Sequence, residues 1–278
     1  MILHFQVALR GKYTLMLAGT GWILAYALQT LGWDEPVFRA MNTLGQWQPW
    51  LWASLSVVGL GLVVFMLISC SHVWLLYRAT PAIQERSWYL MGALLWALVL
   101  GGAATYGLKS WFATARPPAV LTDIWIIGQP LMSRSMPSGH AITAFTLAGL
   151  LWGVLGGAEP NSMRQRMGVV VLAVAIGLSR IATAAHWPSD VLAGMGVGLC
   201  VAWLALYANQ RYRTYRVIRR RAVQWVWAAV LLGASVAMWL DDTGYPMAWA
   251  VQWGTALLGL LASAVWFYQL SVRCNAKV

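Results

Sequence analysis

Eight long apolar runs, separated by short polar segments, occupy most of this 278-residue chain. A helix that crosses a bilayer needs about 20 predominantly apolar residues, and each run is close to that length or exceeds it. The pattern therefore predicts an all-α integral membrane protein with about eight spans. The runs cover residues 14–32, 51–77, 89–108, 140–158, 168–186, 190–208, 223–240 and 247–271.

The composition agrees with a chain that is covered by lipid. Only 10% of its residues are charged, whereas soluble domains have about 25%. The 19 tryptophans fit the same interpretation, because indole rings favour the membrane interface. Three scattered cysteines, Cys70, Cys200 and Cys274, give neither a disulfide framework nor metal-ligand spacing.

The basic residues indicate how the spans are oriented. With the N terminus in the cytoplasm, 14 of the 19 Lys and Arg residues fall in cytoplasmic segments, and such a bias is typical of inner loops. We therefore predict an N-in, C-in topology, which accounts for most of the net charge of +11 without a nucleic-acid partner. The basic stretch at 211–221 then serves mainly as a topology signal and a contact for anionic lipid.

Three short polar segments break the apolar pattern, and each lies at the predicted outer end of a span. They run from Lys109 to Pro117, from Pro137 to His140 and from Ser179 to Asp190. Polar residues at membrane depth are costly and tend to mark function. Segments far apart in sequence but level in the membrane are expected to form one site.

The residue types in these segments suit an anion. Lys109, Arg116 and Arg180 supply positive charge, and arginine can donate two parallel hydrogen bonds to phosphate oxygens. Ser138 is a natural N-cap for the helix that follows, and Gly139 lets a ligand approach the backbone. Free N–H groups at a helix start point towards an anion. Phosphoryl is the group that best fits this predicted pocket.

Two histidines and one carboxylate complete the candidate site. His186 and Asp190 are four residues apart, and Pro188 between them suits a first helical turn. A carboxylate bonded to one ring nitrogen makes the other nitrogen a better nucleophile, so His186 is predicted to attack phosphorus. His140 is predicted to protonate the leaving group and then to activate water.

The arrangement Lys-x6-Arg-Pro, Pro-Ser-Gly-His and Ser-Arg-x5-His-x3-Asp resembles the signature of the type 2 phosphatidic acid phosphatase superfamily, with every position matched in order. The resemblance implies a metal-independent phosphatase that needs no cofactor and acts on a lipid phosphate. It also implies these roles: His186 as the nucleophile, Asp190 as its partner, His140 as the acid and base, and phosphate binding by Lys109, Arg116, Ser138, Gly139 and Arg180.

The resemblance also divides the chain. Residues 1–208 would be the membrane-embedded phosphatase domain with a six-helix core, and its signature occupies 109–190. Residues 209–222 would be a basic cytoplasmic loop, and 223–278 would add two transmembrane helices and a short tail. The expected location is a bacterial inner membrane, with the active site facing the periplasm or exterior. The sequence does not give the oligomeric state.

Several functional alternatives stay open from the sequence. The substrate is undecaprenyl diphosphate, phosphatidylglycerophosphate, phosphatidic acid or the 1-phosphate of lipid A. A lipid-to-lipid phosphotransferase would use the same histidine, and a non-catalytic scaffold or transporter is a third hypothesis. Arg134 lies close to the predicted pocket, either as a ligand for a second phosphate or headgroup or as a solvated loop charge.

Overall fold

A computed structural model describes residues 11–155 and 162–275, with no side-chain description from 273 onwards, and the regular structure in these ranges is helical throughout. This confirms the predicted all-α class. Short 3-10 helices occupy Thr43–Gln46 and Pro246–Ala248. In chain order the α-helices are α1 (Gly11–Thr30), α2 (Asp34–Asn42), α3 (Pro49–Val58), α4 (Gly61–Arg78), α5 (Pro81–Phe112), α6 (Pro117–Val120), α7 (Gly139–Val154), α8 (Ser162–Ala182), α9 (Pro188–Tyr212), α10 (Thr214–Ile218), α11 (Arg221–Leu240) and α12 (Trp249–Asn275).

Six helical segments in the described residues are long and apolar enough to cross a membrane, which makes the chain a multi-pass membrane protein. The helix α1 passes the same test only together with the segment Asp34–Gln46, which contains α2 and the first 3-10 helix, and the two parts are bent by 100°. The 16 residues of α7 extend about 24 Å, which is less than the hydrocarbon core of about 30 Å. The count of eight spans and the N-in, C-in orientation therefore stay predictions. Arg10, Lys277 and the end of the run 140–158 lie outside the described residues.

The long apolar run at 51–77 forms two helices, α3 and α4, rather than one span. The amide of Gly59 closes α3 by donating to the carbonyls of Leu55 and Ser56, and Leu60 is extended at ψ 134°. A Cβ atom at Gly59 would lie 2.5 Å from Cγ2 of Ile176 and 3.1 Å from Cδ2 of His140. The break thus places backbone directly against a candidate site residue. Hydropathy does not predict it because both sides are apolar.

The helix α9 lies at the centre of the bundle and packs against α1, α5 and α7. Glycines permit the closest approach between α7 and α9. A Cβ atom at Gly194 would lie 2.7 Å from the carbonyl oxygen of Ser138, and one at Gly198 would lie 2.6 Å from that of Ile142. Close backbone packing through small residues is typical of membrane helices. It fixes the start of α7 against the start of α9.

The two C-terminal helices pack on the bundle rather than apart from it. Both α11 and α12 contact α4, and α12 also contacts α3. The indole Nε1 of Trp227 donates to Ser69 Oγ at 3.2 Å. His72 lies between the rings of Trp88 and Trp266, with Nδ1 2.6 Å from Ser87 Oγ. These contacts give His72 a structural role, because they pack α4 against α5 and α12.

Candidate active site

The three polar segments predicted to form one site meet where α5 and α8 end and α7 and α9 begin. Arg116 Nη1 lies 3.2 Å from His186 Nε2, which joins the first segment to the third. The amide of Ser138 donates to the carbonyl of Asp190 at 3.0 Å, which joins the second to the third. A Cβ atom at Gly139 would lie 3.8 Å from Cε of Lys109, so the first and second segments also touch.

His186 and Asp190 form a buried pair in which Nδ1 and Oδ2 are 3.2 Å apart. The same Oδ2 accepts hydrogen bonds from the amide of Trp187 at 2.9 Å and from the hydroxyl of Ser135. Because a guanidinium can only donate, the contact with Arg116 requires Nε2 of His186 to be an acceptor. The imidazole proton therefore lies on Nδ1, facing the carboxylate, and the lone pair of Nε2 faces the pocket.

The backbone between α8 and α9 holds His186 in place. The carbonyl of Arg180 accepts hydrogen bonds from the amides of Ala185 and His186, both at 3.0 Å. The helix α9 then begins at Pro188, which confirms the prediction that this proline lies in a first helical turn. Burial lowers the pKa of His186 well below its ordinary value of 6.5, and the nearby basic groups, Arg116 first, lower it further. The imidazole is therefore neutral at pH 7.

Arg116 and Lys109 are held by carbonyl oxygens rather than by carboxylates. Arg116 donates to the carbonyls of Ser133 at 2.8 Å, Ala185 at 2.9 Å and Arg134 at 3.3 Å. Lys109 Nζ donates to the carbonyl of Arg134 at 2.7 Å. The loop before α7 thus orients two of the predicted phosphate ligands.

Arg180 is the most deeply buried cation of the cluster, with 1% of its surface exposed. Its Nη1 donates to the hydroxyl of Tyr245 at 2.7 Å, while its Nε is buried without a partner. Within residues 11–155 and 162–275, no carboxylate lies within 4.0 Å of the charged nitrogens of Arg180, Arg116 or Lys109. A buried charge is costly unless it is paired, so the cluster is suited to an anion.

The start of α7 has the predicted geometry. Ser138 is the N-cap, and its hydroxyl accepts from the amide of Ala141 at 3.5 Å, which confirms the sequence prediction. A Cβ atom at Gly139 would lie 3.2 Å from Cγ2 of Thr105, so a larger residue would crowd α5. His140 follows directly, and its Nε2 is buried without a partner. An unpartnered ring nitrogen is free to exchange a proton with a bound ligand.

Ser135 and Tyr245 contact the site but were not predicted from the sequence. Ser135 lies in an irregular loop, and Tyr245 follows α11, so neither carries a motif or a periodic pattern. The side chain of Arg134 is exposed, while its carbonyl binds Lys109 and Arg116. The structure thus places the backbone of Arg134 at the site, and the residue also lines an adjacent cavity.

Ser135→Ala is expected to lower kcat about tenfold with little change in KM, because Asp190 loses one hydrogen bond to its charged oxygen. Steady-state kinetics on purified variants tests this. Ser133→Ala is the matched control, since the Ser133 side chain is exposed and only its carbonyl is used. An unchanged kcat in Ser135→Ala would contradict this prediction and would show that the contacts of Asp190 with His186 and with the amide of Trp187 are sufficient.

No group of three or more His, Cys, Asp or Glu side chains that could hold a metal ion occurs among the described residues. Cys70 and Cys200 are free thiols. They lie within α4 and α9, away from the helix ends that form the site.

Residues 90–214 match the family model described as the PAP2 superfamily. This region, slightly less than half of the chain, belongs to the type 2 phosphatidic acid phosphatase superfamily. The matched range contains all eight predicted site residues and ends before α11, so it does not include Tyr245.

Two relatives agree with this membership. The chain is 31% identical over 128 residues to a lipid A 1-phosphatase of Porphyromonas gingivalis, a match that covers 45% of this chain and 25% of that protein. The chain thus spans about a quarter of the length of this relative. It also resembles the crystal structure of Aquifex aeolicus LpxE, with a TM-score of 0.50 and 26% identity over 63% of this chain and 94% of that one.

Proposed function

We propose that this protein removes phosphate from a membrane lipid, either a monoester or a diphosphate, through a phosphohistidine formed on His186. The cluster of Lys109, Arg116 and Arg180 beside a neutral His186 carries this proposal. These cations have no carboxylate partner in the described chain, and both Arg180 Nε and His140 Nε2 lack a hydrogen-bond partner. A phosphoryl group would supply the missing negative charge and acceptors.

In the first step, the lone pair of His186 Nε2 attacks phosphorus and forms a P–N bond. Arg116 donates to this nitrogen in the structure, so it must turn its Nη1 towards a phosphoryl oxygen as the substrate binds. The bond to the leaving oxygen breaks, and that oxygen takes a proton from His140. Asp190 stabilises the positive imidazole, while the three cations stabilise charge on the phosphoryl oxygens.

In the second step, His140 accepts a proton from water as the water oxygen attacks phosphorus. The P–N bond breaks, and its electron pair returns to His186 Nε2. Inorganic phosphate leaves, and His140 holds a proton for the next cycle. The roles of the two histidines differ in this scheme, because His186 bonds to phosphorus and His140 only transfers protons.

An apolar cavity beside the site supports a lipid as the substrate. The cavity has a volume of about 500 Å³ and lies among α4, α5 and α7. It extends from Lys109 and His140 at the site to Leu94 and Leu150 farther along the bundle. Ligand pockets of this size commonly bind an apolar group and place polar residues at one end. A phosphate at the polar end would leave the hydrocarbon chain in the cavity.

The distribution of charge supports an active site on the outer face. The basic stretch at 211–221 lies at the opposite end of α9 from Asp190, where Arg219 forms an ion pair of 2.6 Å with Glu85 at the start of α5. Basic segments are typical of the cytoplasmic side. The site would then face the periplasm or exterior of a bacterial inner membrane.

Phosphate release by the purified protein in detergent tests the proposal. The panel contains lipid A carrying a 1-phosphate, undecaprenyl diphosphate, phosphatidylglycerophosphate and phosphatidic acid, each with EDTA present. Lipid A is the leading candidate, because a similar protein bears the name lipid A 1-phosphatase. Release of phosphate from one of these lipids in EDTA is the expected result. If the folded protein releases no phosphate from any of the four lipids, the proposed function is wrong. Transfer of phosphate to an added lipid would indicate a phosphotransferase instead.

A further inference from the structure

The segment that joins α11 to α12 reaches the candidate active site from outside the matched family region. Tyr245, in this segment, is 9% exposed, and its hydroxyl lies 2.7 Å from Arg180 Nη1. The Arg180 guanidinium carbon is also 5.6 Å from the centre of the Tyr245 ring. A cation at this distance from an aromatic face is attracted to it. One tyrosine thus contacts Arg180 through both its hydroxyl and its ring.

Internal hydrogen bonds hold this segment in one shape. Gln252 Nε2 donates to the carbonyl of Asp241 at 2.7 Å and to that of Met238 at 3.1 Å. The hydroxyl of Thr243 donates to Gln252 Oε1 at 3.1 Å, and the amide of Gly244 donates to Asp242 Oδ1 at 2.9 Å. Because α12 supplies Gln252, the segment is anchored to the second helix of the pair. Tyr245 is therefore positioned by the folded helical pair.

The same segment is joined to the loop that precedes α7. The amide of Gln129 donates to the carbonyl of Gly244 at 2.9 Å. Gly128 has a φ of +80°, and a Cβ atom there would lie 2.3 Å from that carbonyl oxygen and 2.8 Å from Cδ1 of Tyr245. Only glycine combines this conformation with so close an approach. The loop that carries two of the carbonyl ligands of Arg116, those of Ser133 and Arg134, thus packs directly on the segment that carries Tyr245.

The contact with Tyr245 restricts the orientation of Arg180. A guanidinium is planar, so fixing Nη1 by a hydrogen bond and the group's plane by a ring contact also fixes the positions of Nε and Nη2. Its Nε is buried without a partner. Burial by itself would raise the pKa of Tyr245, but the charge of Arg180, together with hydrogen bonds at the hydroxyl, lowers this pKa overall.

We propose that the α11–α12 pair contributes to catalysis through Tyr245, a positioning residue that fixes Arg180 so that its Nε can donate to the phosphoryl group. This inference rests on the proposed function for the identity of the group that Arg180 binds. It assigns a role to the two helices that follow the matched family region. Tyr245 itself takes no part in bond making or breaking.

Tyr245→Phe, which removes one oxygen and keeps the ring, tests the proposal. We expect kcat to fall about tenfold, the size of one hydrogen bond to a charged group, with KM for the lipid nearly unchanged. Calorimetric affinity for orthovanadate, which imitates a phosphoryl group in transfer, should weaken by a similar factor. Tyr268→Phe is the matched control, because Tyr268 lies in α12 with 70% of its surface exposed.

A double-mutant cycle with Arg180→Lys separates positioning from a general effect on stability. If Tyr245 acts through Arg180, Tyr245→Phe should change orthovanadate affinity in the wild-type background but not in the Arg180→Lys background. Equal losses in both backgrounds, or wild-type affinity in Tyr245→Phe, would overturn the inference. Absence of phosphate release by the wild type would instead count against the proposed function, and the orthovanadate cycle would still test the contact.

Discussion

His186→Ala is expected to abolish phosphate release, with kcat lower by about 10⁴-fold or more, as for removal of other enzyme nucleophiles. The side chain of His186 is buried, and its Nε2 lies 3.2 Å from Nη1 of Arg116, one of the three cations of the site. Phosphate release from the active lipid, followed with the folded variant in detergent, measures the effect. His72→Ala is the matched control, since His72 is also buried but lies away from the site. It should lower the melting temperature and leave kcat of the folded protein nearly intact.

Alanine variants of His140 and His186 are expected to lose activity at different steps of the reaction. His140→Ala should also be inactive on lipid, because the leaving oxygen then lacks a proton donor. With p-nitrophenyl phosphate, whose leaving group needs no proton, His140→Ala should accumulate an acid-labile phosphoprotein, while His186→Ala should form none. A phosphoprotein in His186→Ala would place the covalent bond on another residue and would contradict the proposed mechanism.

Arg116→Lys is expected to lower kcat/KM by about 10²–10³-fold, the usual cost of losing a donor that stabilises developing charge. A single ammonium cannot replace the planar guanidinium, which reaches the carbonyls of Ser133 and Ala185 and also Nε2 of His186. The melting temperature should fall as well, because a buried carbonyl without a donor costs about 1–3 kcal/mol. Steady-state kinetics and thermal unfolding of the same preparation measure both effects.

Arg39→Lys is the matched control for this substitution. Arg39 is exposed and forms an ion pair with Glu35 in α2, at 2.8 Å. Exposed ion pairs contribute little to stability, so kinetics and melting temperature should both stay close to the wild type. If Arg116→Lys behaves like Arg39→Lys, the guanidinium of Arg116 is not required for activity. The proposal that Arg116 moves its hydrogen bond from His186 to a phosphoryl oxygen would then be wrong.

The sequence predicted several local contacts of the candidate site because its residues lie in short segments with fixed local geometry. His186 and Asp190 face each other because Pro188 begins α9 between them, and Ser138 caps α7 as its position predicts. Close spacing along the chain is sufficient for such contacts. The all-α class followed for a similar reason, since long apolar runs in lipid must satisfy their backbone groups within each helix.

Other features depend on contacts between distant parts of the chain. The break at Gly59 lies inside a run that is apolar on both sides, so hydropathy gave a single span at 51–77. Ser135 belongs to an irregular loop, and only the packed structure places its hydroxyl on Asp190. Tyr245 follows Asp190 by two helical spans, α9 and α11, and it lies between two helices for which the sequence indicated no role.

The sequence by itself determined the helical architecture with its membrane-spanning segments and the set of candidate residues proposed to bind and attack a phosphoryl group. Both depend on local properties, namely hydropathy over one span and side-chain types at short spacing. Only the tertiary structure decided that Arg116 contacts Nε2 of His186 and that Arg180 donates a hydrogen bond to Tyr245. These contacts depend on how helices pack across the bundle, and a linear spacing does not specify which side chains meet when distant helices pack together.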